Sequence, residues 1–307
     1  MSLIRFCRAV IPLLPLAAVI SPAESADKRY LIIHADDSGM SHSANIGTIR
    51  SMEKGIVSST SMMVPCPWFT EFAEYCRNNP DRDYGIHLTL TSEWKHYRWG
   101  PVLPRSQVPS LVDEDGYLWH TAQQVGQHAK VEEVELELRA QIERAKKFGV
   151  PISHLDTHMG SLGSRADLTD LYVRIGIEYD IPVFLIRNPI PQMAEHYPGM
   201  AERGEALIKQ LESARLPVVD YLAPPADGRS YEEFRNSCMD VLRDLRSGFT
   251  QIIIHCGIAN EELRGITANA FRRDFEHRLF MDPKVVALVK ELDIEVITWK
   301  QLRKLQE

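Results

Sequence analysis

The chain has 307 residues, 44% of them apolar and 25% charged, and its formal net charge is −7. That balance is ordinary for a globular protein and leaves room for one large α/β barrel or two smaller domains. The acidic excess removes the chain-wide basic field that nucleic acid or anionic lipid would need, so neither is expected as a partner.

The opening residues stand apart. Arg5 and Arg8 precede an apolar run from Ile11 to Ile20 that ends among Ala23, Ser25 and Ala26. This is the layout of a secretory signal, with cleavage expected after Ser25 or Ala26. The run is too short to span a bilayer comfortably, so no stable membrane insertion is expected. The alternative is an N-terminal helix lying on the domain or kept as an anchor. With residues 1–26 taken as signal and 27–307 as the folded domain, the mature protein is expected in the periplasm or outside the cell. Cys7 falls within the signal. Cys66, Cys76, Cys238 and Cys256 allow three pairings, and the sequence does not choose among them. No Cys-x-x-Cys pair occurs, which argues against a zinc ribbon.

Residues 30–35 are an apolar run of strand character that ends in Asp36, Asp37 and Gly39. Residues 43–54 read as a helix with Ser41 or Ser43 as its N-cap and Gly55 as its stop. A strand at 56–64 closes at Pro65, a helix at 68–78 runs to Pro80, and a third strand at 84–90 holds His87. From 91 to 127 the rhythm breaks, with Pro101, Pro104, Pro109 and Gly116 among Trp94, Tyr97, Trp99, Tyr117 and Trp119. An irregular stretch of that length is usually functional or disordered, and so many aromatics oppose disorder.

Residues 131–148 are strongly helical, followed by a strand at 152–156, a glycine-containing turn at 159–163, a helix at 167–179 and a short strand at 183–186. The remainder reads as a helix at 201–214, a strand at 218–222, a helix at 231–246 and a strand at 251–255. Helices at 270–280 and 283–291, a strand at 295–297 and a terminal helix complete the chain. Strands and helices alternate about eight times, which favours parallel βαβ units in a (β/α) barrel or a doubly wound sheet. No linker divides them, so a single catalytic domain is expected.

In a barrel, functional side chains gather at the C-terminal ends of strands. The conspicuous polar residues fall there: Asp36 and Asp37, then His87, then His154, Asp156 and His158, then Arg187, then His255. Two adjacent carboxylates at the end of a core strand are costly to desolvate without a cation. Asp37, His87 and His158 supply a carboxylate and two imidazoles, a common set for a catalytic divalent ion. His154, Asp156 and His158 alternate along the chain, and His158, furthest toward the strand end, is the ligand chosen. Asp156 then supports the ligands or faces substrate. Asp36 is the expected base, its alternative role being an N-cap for the next helix. His255 is the expected acid, or else a core histidine. Arg187 orients the site or pairs with a carboxylate. Trp94, Tyr97 and Trp99, with Trp68 a further candidate, offer apolar faces to a ligand or pack the irregular stretch onto the domain.

These motifs carry a family resemblance. His34-Ala35-Asp36-Asp37-Ser38-Gly39-Met40-Ser41 resembles the Asp-Asp-Phe-Gly signature of the YdjC-like carbohydrate deacetylases, the group that includes chitooligosaccharide deacetylase. Glu53 to Ser61, Gly85-Ile86-His87-Leu88, His154-Leu155-Asp156-Thr157-His158 and Ile254-His255-Cys256 are similar to the same family, in order and with similar spacing. The resemblance implies a distorted (β/α) TIM-like barrel that removes N-acetyl groups from amino sugars with one divalent cation, Mg2+ or Zn2+. It places the metal ligands on Asp37, His87 and His158, the base on Asp36 and the acid on His255. Asp36 would draw a proton from the attacking water, and His255 would return one to the departing amine. An N-acetylated carbohydrate is the expected partner; a homodimer is left open.

The sequence also departs from the family pattern. Ser38 replaces the usual aromatic, Met159-Gly160 replaces further histidines, Cys256-Gly257 replaces a Pro-Gly, and the aromatic insertion is not general. These differences leave the sugar's identity open. The rival readings are another metal-dependent amidohydrolase, a phosphoesterase, or a non-catalytic carbohydrate-binding protein on the same scaffold.

Overall fold

The computed structural model describes residues 28–190, 193, 195 and 197–307; the expected signal at 1–26 lies outside the described residues. Its centre is β1 (Arg29–Ser38), buried along nearly its whole length. Around it lie β2 (Ser59–Met62), β3 (Tyr84–Leu88), β4 (Ile152–Thr157), β5 (Tyr221–Leu222), β6 (Gly248–Ile254) and β7 (Ile294–Val296). The strand order is β4-β3-β2-β1-β6-β5, with β7 also on β1, and every pairing is parallel. β7 pairs with Arg29–Leu31 and β2 with the stretch from His34 to Ser38.

Residues 183–186, expected as a strand, make only isolated bridges, Leu155 to Val183 and Ile186 to Val219. Pro182 and Pro189 remove ladder donors on either side of that segment. The sheet is therefore a curled barrel with one thinly laced side, and the expected α/β architecture holds.

Parallel strands need crossovers, which the helices supply. They are α1 (His42–Lys54), α2 (Phe69–Asn78), α3 (Ala122–His128), α4 (Val131–Lys147), α5 (Ala166–Tyr179), α6 (Pro198–Ser213) and α7 (Tyr231–Arg243). α8 (Glu261–Ile266), α9 (Ala270–Leu279), α10 (Pro283–Glu291) and α11 (Trp299–Gln306) follow. Ser41 caps α1, its hydroxyl accepting from Ala44 N–H, so Asp36 is free of that duty. The short helix α8, absent from the sequence reading, starts where Asn260 accepts from Leu263 N–H.

The two-residue period of β1 sorts its side chains. Leu31, Ile33 and Ala35 join the core under the helices, while Tyr30 and Ile32 pack in the interior with Trp299 and Leu302 of α11. The interior then changes character going up. An apolar floor carries a layer of His34 and His154, and Asp36, His87 and Asp156 stand above it. His154 is a core histidine, its ring stacked on Trp299 at 5.0 Å. Burial drives its pKa well below the ordinary value, so it sits neutral.

Residues 91–127 form a packed lobe that ends in α3. Trp99, Val108, Leu111, Leu118 and Val125 are buried within it. Buried Glu137 of α4 ties the lobe down by accepting from the N–H groups of Val102 and Leu103. Cys66, Cys76, Cys238 and Cys256 are all buried and free, so none of the three pairings forms. Among the described residues no helix is long and apolar enough to cross a membrane.

Candidate active site

On a regular strand Asp36 would face the barrel interior and Asp37 the helix layer. The chain breaks at Asp37, which adopts a left-handed φ of 65°, and the β1–β2 register shifts between Ala35 and Ser38. Gly39, with φ 85°, completes the turn where a Cβ would come within 3.0 Å of Phe69 Cα. This break swings both carboxylates to one place. His87 Nε2 lies 3.4 Å from Asp37 Oδ1 and 3.9 Å from Asp36 Oδ2.

Asp37 Oδ1, His87 Nε2 and His158 Nδ1 form a near-regular triangle. His158 Nδ1 lies 3.3 Å from Asp37 Oδ1 and 3.2 Å from His87 Nε2. Edges of that length match ligands about 2.0–2.1 Å from a common tetrahedral centre, as zinc sites have. The protons are arranged to suit a cation. His87 Nδ1 lies 2.6 Å from Asp156 Oδ1 and His158 Nε2 lies 3.0 Å from Glu93 Oε2. Each carboxylate takes the N–H of its imidazole and turns the ring's other lone pair toward the triangle. Asp37 Oδ1 is buried and accepts no hydrogen bond, while Arg273 Nη2 donates to Asp37 Oδ2 at 2.6 Å. These groups fit a divalent ion.

Charge follows the same plan. Burial opposes ionisation of Asp37, but Arg273, His158 and His87 outweigh it and hold the carboxyl well below its usual range. Burial also opposes charge on His158, yet Glu93 and Asp37 lift it to about 9 when no cation competes. Among the described residues two other groupings of potential ligands occur, His34 with His154 and Asp156, and Asp36 with His87 and Asp156. In the first, His34 is already bound on both nitrogens; in the second, both oxygens of Asp156 are already engaged by His87 and His34.

Asp36 has one oxygen on each side of its task. Oδ1 sits 2.9 Å from His34 Nε2, and Oδ2 faces His87 and, at 4.0 Å, His255 Nε2. The His34 ring also reaches Asp156 Oδ2 at 2.8 Å and Ser59 Oγ at 2.9 Å. Burial disfavours its charge, but Asp156 and Asp36 raise its pKa to about 9. His255 is half-exposed, with Nδ1 3.6 Å from Glu276 Oε2. Burial opposes its charge and Glu276 raises its pKa, while Glu276 is held in place by Arg272 Nε at 3.1 Å.

The substrate-contact candidates fall differently. Asp156 uses both oxygens on histidines, so it holds His87 and His34. Arg187 pairs with Glu212 at 2.5 Å and Asp220 at 3.1 Å rather than with a carboxylate of the site. A cavity of about 950 Å³ opens beside Asp36, His87, Asp156 and His255, and Trp94, Tyr97 and Trp99 do not line it. Those three rings form one cluster at centroid distances of 5.4 to 6.4 Å, with the Tyr97 hydroxyl donating to Met40 O and Trp94 under Arg273. Trp68 lies outside the cavity against His42. Packing is thus the role the geometry gives them.

Sequence reasoning missed His34, Glu93, Arg273 and Glu276. The last two carried a readable signal. Ala270, Arg273, Glu276 and His277 share the buried face of α9, so polar residues occupy apolar-face spacing. Glu93 carried none, because the fold of the lobe alone brings it to His158.

A model of the YdjC-like protein family matches residues 30–291. The chain belongs to the YdjC-like family. The match includes every residue named at the site. Among similar proteins, a carbohydrate deacetylase of Thermus thermophilus is 30% identical over 276 residues, covering 90% of this chain and 94% of its own. A carbohydrate deacetylase of Thermoanaerobacter pseudethanolicus is 27% identical over 277 residues, covering 90% and 100%. A solved structure from Enterococcus faecalis, named as a proposed cellobiose-phosphate cleavage protein, superposes with a TM-score of 0.73 at 26% identity. It covers 90% of this chain and 99% of that one.

Proposed function

We propose that this protein removes the acetyl group from an N-acetylated amino sugar, releasing acetate and the free amine. The observation that carries the reading is the convergence of Asp37 Oδ1, His87 Nε2 and His158 Nδ1 next to the carboxylate of Asp36. The names of the two relatives support the same reaction.

Asp37, His87 and His158 would hold a divalent cation, zinc or magnesium, which when bound polarises the amide carbonyl and makes water more acidic. The chain's own residues account for the proton movements. Asp36 borders the cavity and accepts a proton from the water that attacks the carbonyl. Asp36 Oδ1 lies 2.9 Å from His34 Nε2, a charge contact without a hydrogen bond that favours this orientation. His255 also borders the cavity, and its raised pKa keeps a proton available for the departing nitrogen. Glu276 accepts from the His255 backbone N–H at 2.6 Å and steadies the residue.

A phosphoesterase would need free basic groups at the cavity. Arg187 and Lys209 border it, but both are paired, with Glu212 and Asp220 and with Glu205. The test is acetate release from a panel of N-acetylated sugars by chelator-treated protein, with single metals restored. Release should vanish on chelation and return with one or more ions. A protein equally active without metal, or inactive on every sugar with every ion, sinks the reading. Export belongs to the same proposal and rests on residues 1–26 alone; cell fractionation tests it.

A further inference from the structure

The cavity beside the site has an unexpected lining for a protein that handles sugars. Beyond the polar end its walls are Phe184, Ile186, Ile190, Met193, Met200 and Ile208. The charged side chains on its border are already paired, Arg187 with Glu212 and Lys209 with Glu205. At about 950 Å³ it is near the top of the roughly 300–1,000 Å³ range of small-molecule sites. Two large apolar side chains on its border remain exposed, Ile190 at 55% and Met159 at 41%. A sugar carries hydroxyls around its rim, and burying them against aliphatic walls leaves them unpaired.

Chemistry fixes which part of the substrate enters. Asp36 and His255 both border the cavity, so the reacting amide lies at its polar end, and of the two parts that the scissile bond joins only the sugar side is large enough to fill it. The acyl group lies on the other side of the scissile bond. Resting on the deacetylase reading, we propose that the substrate is an amphiphile: an N-acetylated amino sugar whose apolar aglycone lies in this cavity.

The experiment titrates octyl 2-acetamido-2-deoxy-β-glucopyranoside, below its micellar concentration, and the unsubstituted sugar into the Asp36→Asn variant by calorimetry. The alkyl glycoside should bind at least about tenfold more tightly, since each buried methylene contributes several-fold. Ile208→Asp should abolish most of that gain. Ile190→Asp, at an exposed position where folding is not at stake, should reduce it by at least about threefold, whereas remote Leu305→Asp should leave it intact. Affinities within about twofold of each other, undetectable binding of both, or a gain untouched by both cavity variants would overturn the proposal. Acetate release by the wild type on the same two compounds is read separately. If neither is hydrolysed, the deacetylase reading fails, while the titration still decides the cavity.

Discussion

His34 shows how one residue can organise a site it does not join. Its Nε2 bonds Asp156, the carboxylate behind His87, and also lies 2.9 Å from Asp36 Oδ1, so one ring nitrogen serves the first acid by a hydrogen bond and the second by charge. Charge on that ring is favoured only while the fold surrounds it. Its folded pKa of about 9 lies above the ordinary 6.5, so its contribution is complete below pH 6.5 and fades as pH climbs toward 9. The size is on the order of 3 kcal/mol. In urea titrations across this range, the stability gap between wild type and His34→Gln should be widest at pH 6 and narrow by pH 9.5. A gap that ignores pH would mean that His34 is neutral. Arg273 does related work from α9, binding one oxygen of Asp37 and leaving the other toward the two histidines.

At the scale of elements, the site depends on how closely α1 approaches the loop after β6. A Cβ on Gly47 would meet Gly257 N at 2.7 Å, so helix and loop touch backbone to backbone two residues beyond His255. Gly47→Val should force them apart and cost about 1–3 kcal/mol, read as a lower denaturant midpoint. The displaced loop carries His255, so kcat should fall more than KM changes. Unaltered stability and kcat would show that the contact has slack. The lobe at 91–127 illustrates the opposite dependence. Its aromatics announced order, but what they order against was hidden, because Glu137, the group that fastens the lobe, is an acidic residue on a helix rich in them.

For the molecule as a whole, the sequence left the cysteines undecided and the fold decides them. Cys66, Cys76, Cys238 and Cys256 are buried as free thiols, and burial pushes the thiol pKa of Cys238 and Cys256 up to about 12. They behave as small apolar side chains, slow to ionise and slow to oxidise. Reductant should therefore shift the melting temperature by less than about 1 °C, whereas loss of a native disulfide costs roughly 2–5 kcal/mol. All four should react with a thiol reagent in denaturant without prior reduction. A melting temperature that drops on reduction would contradict the fold.

Much was legible in the chain because it is local. Strands and helices follow from the spacing of apolar residues, and most of the expected elements are present. Asp37, His87 and His158 stood out because charge at the end of an apolar strand has few explanations. The failures share one cause. Whether Trp94, Tyr97 and Trp99 meet a ligand or each other, whether Arg187 has a free charge, and which acid holds each histidine all depend on residues far away in sequence. A side chain's type limits the bonds it can make, and that is written locally. Which partner completes those bonds is set by packing across the barrel, so only the folded chain decides it.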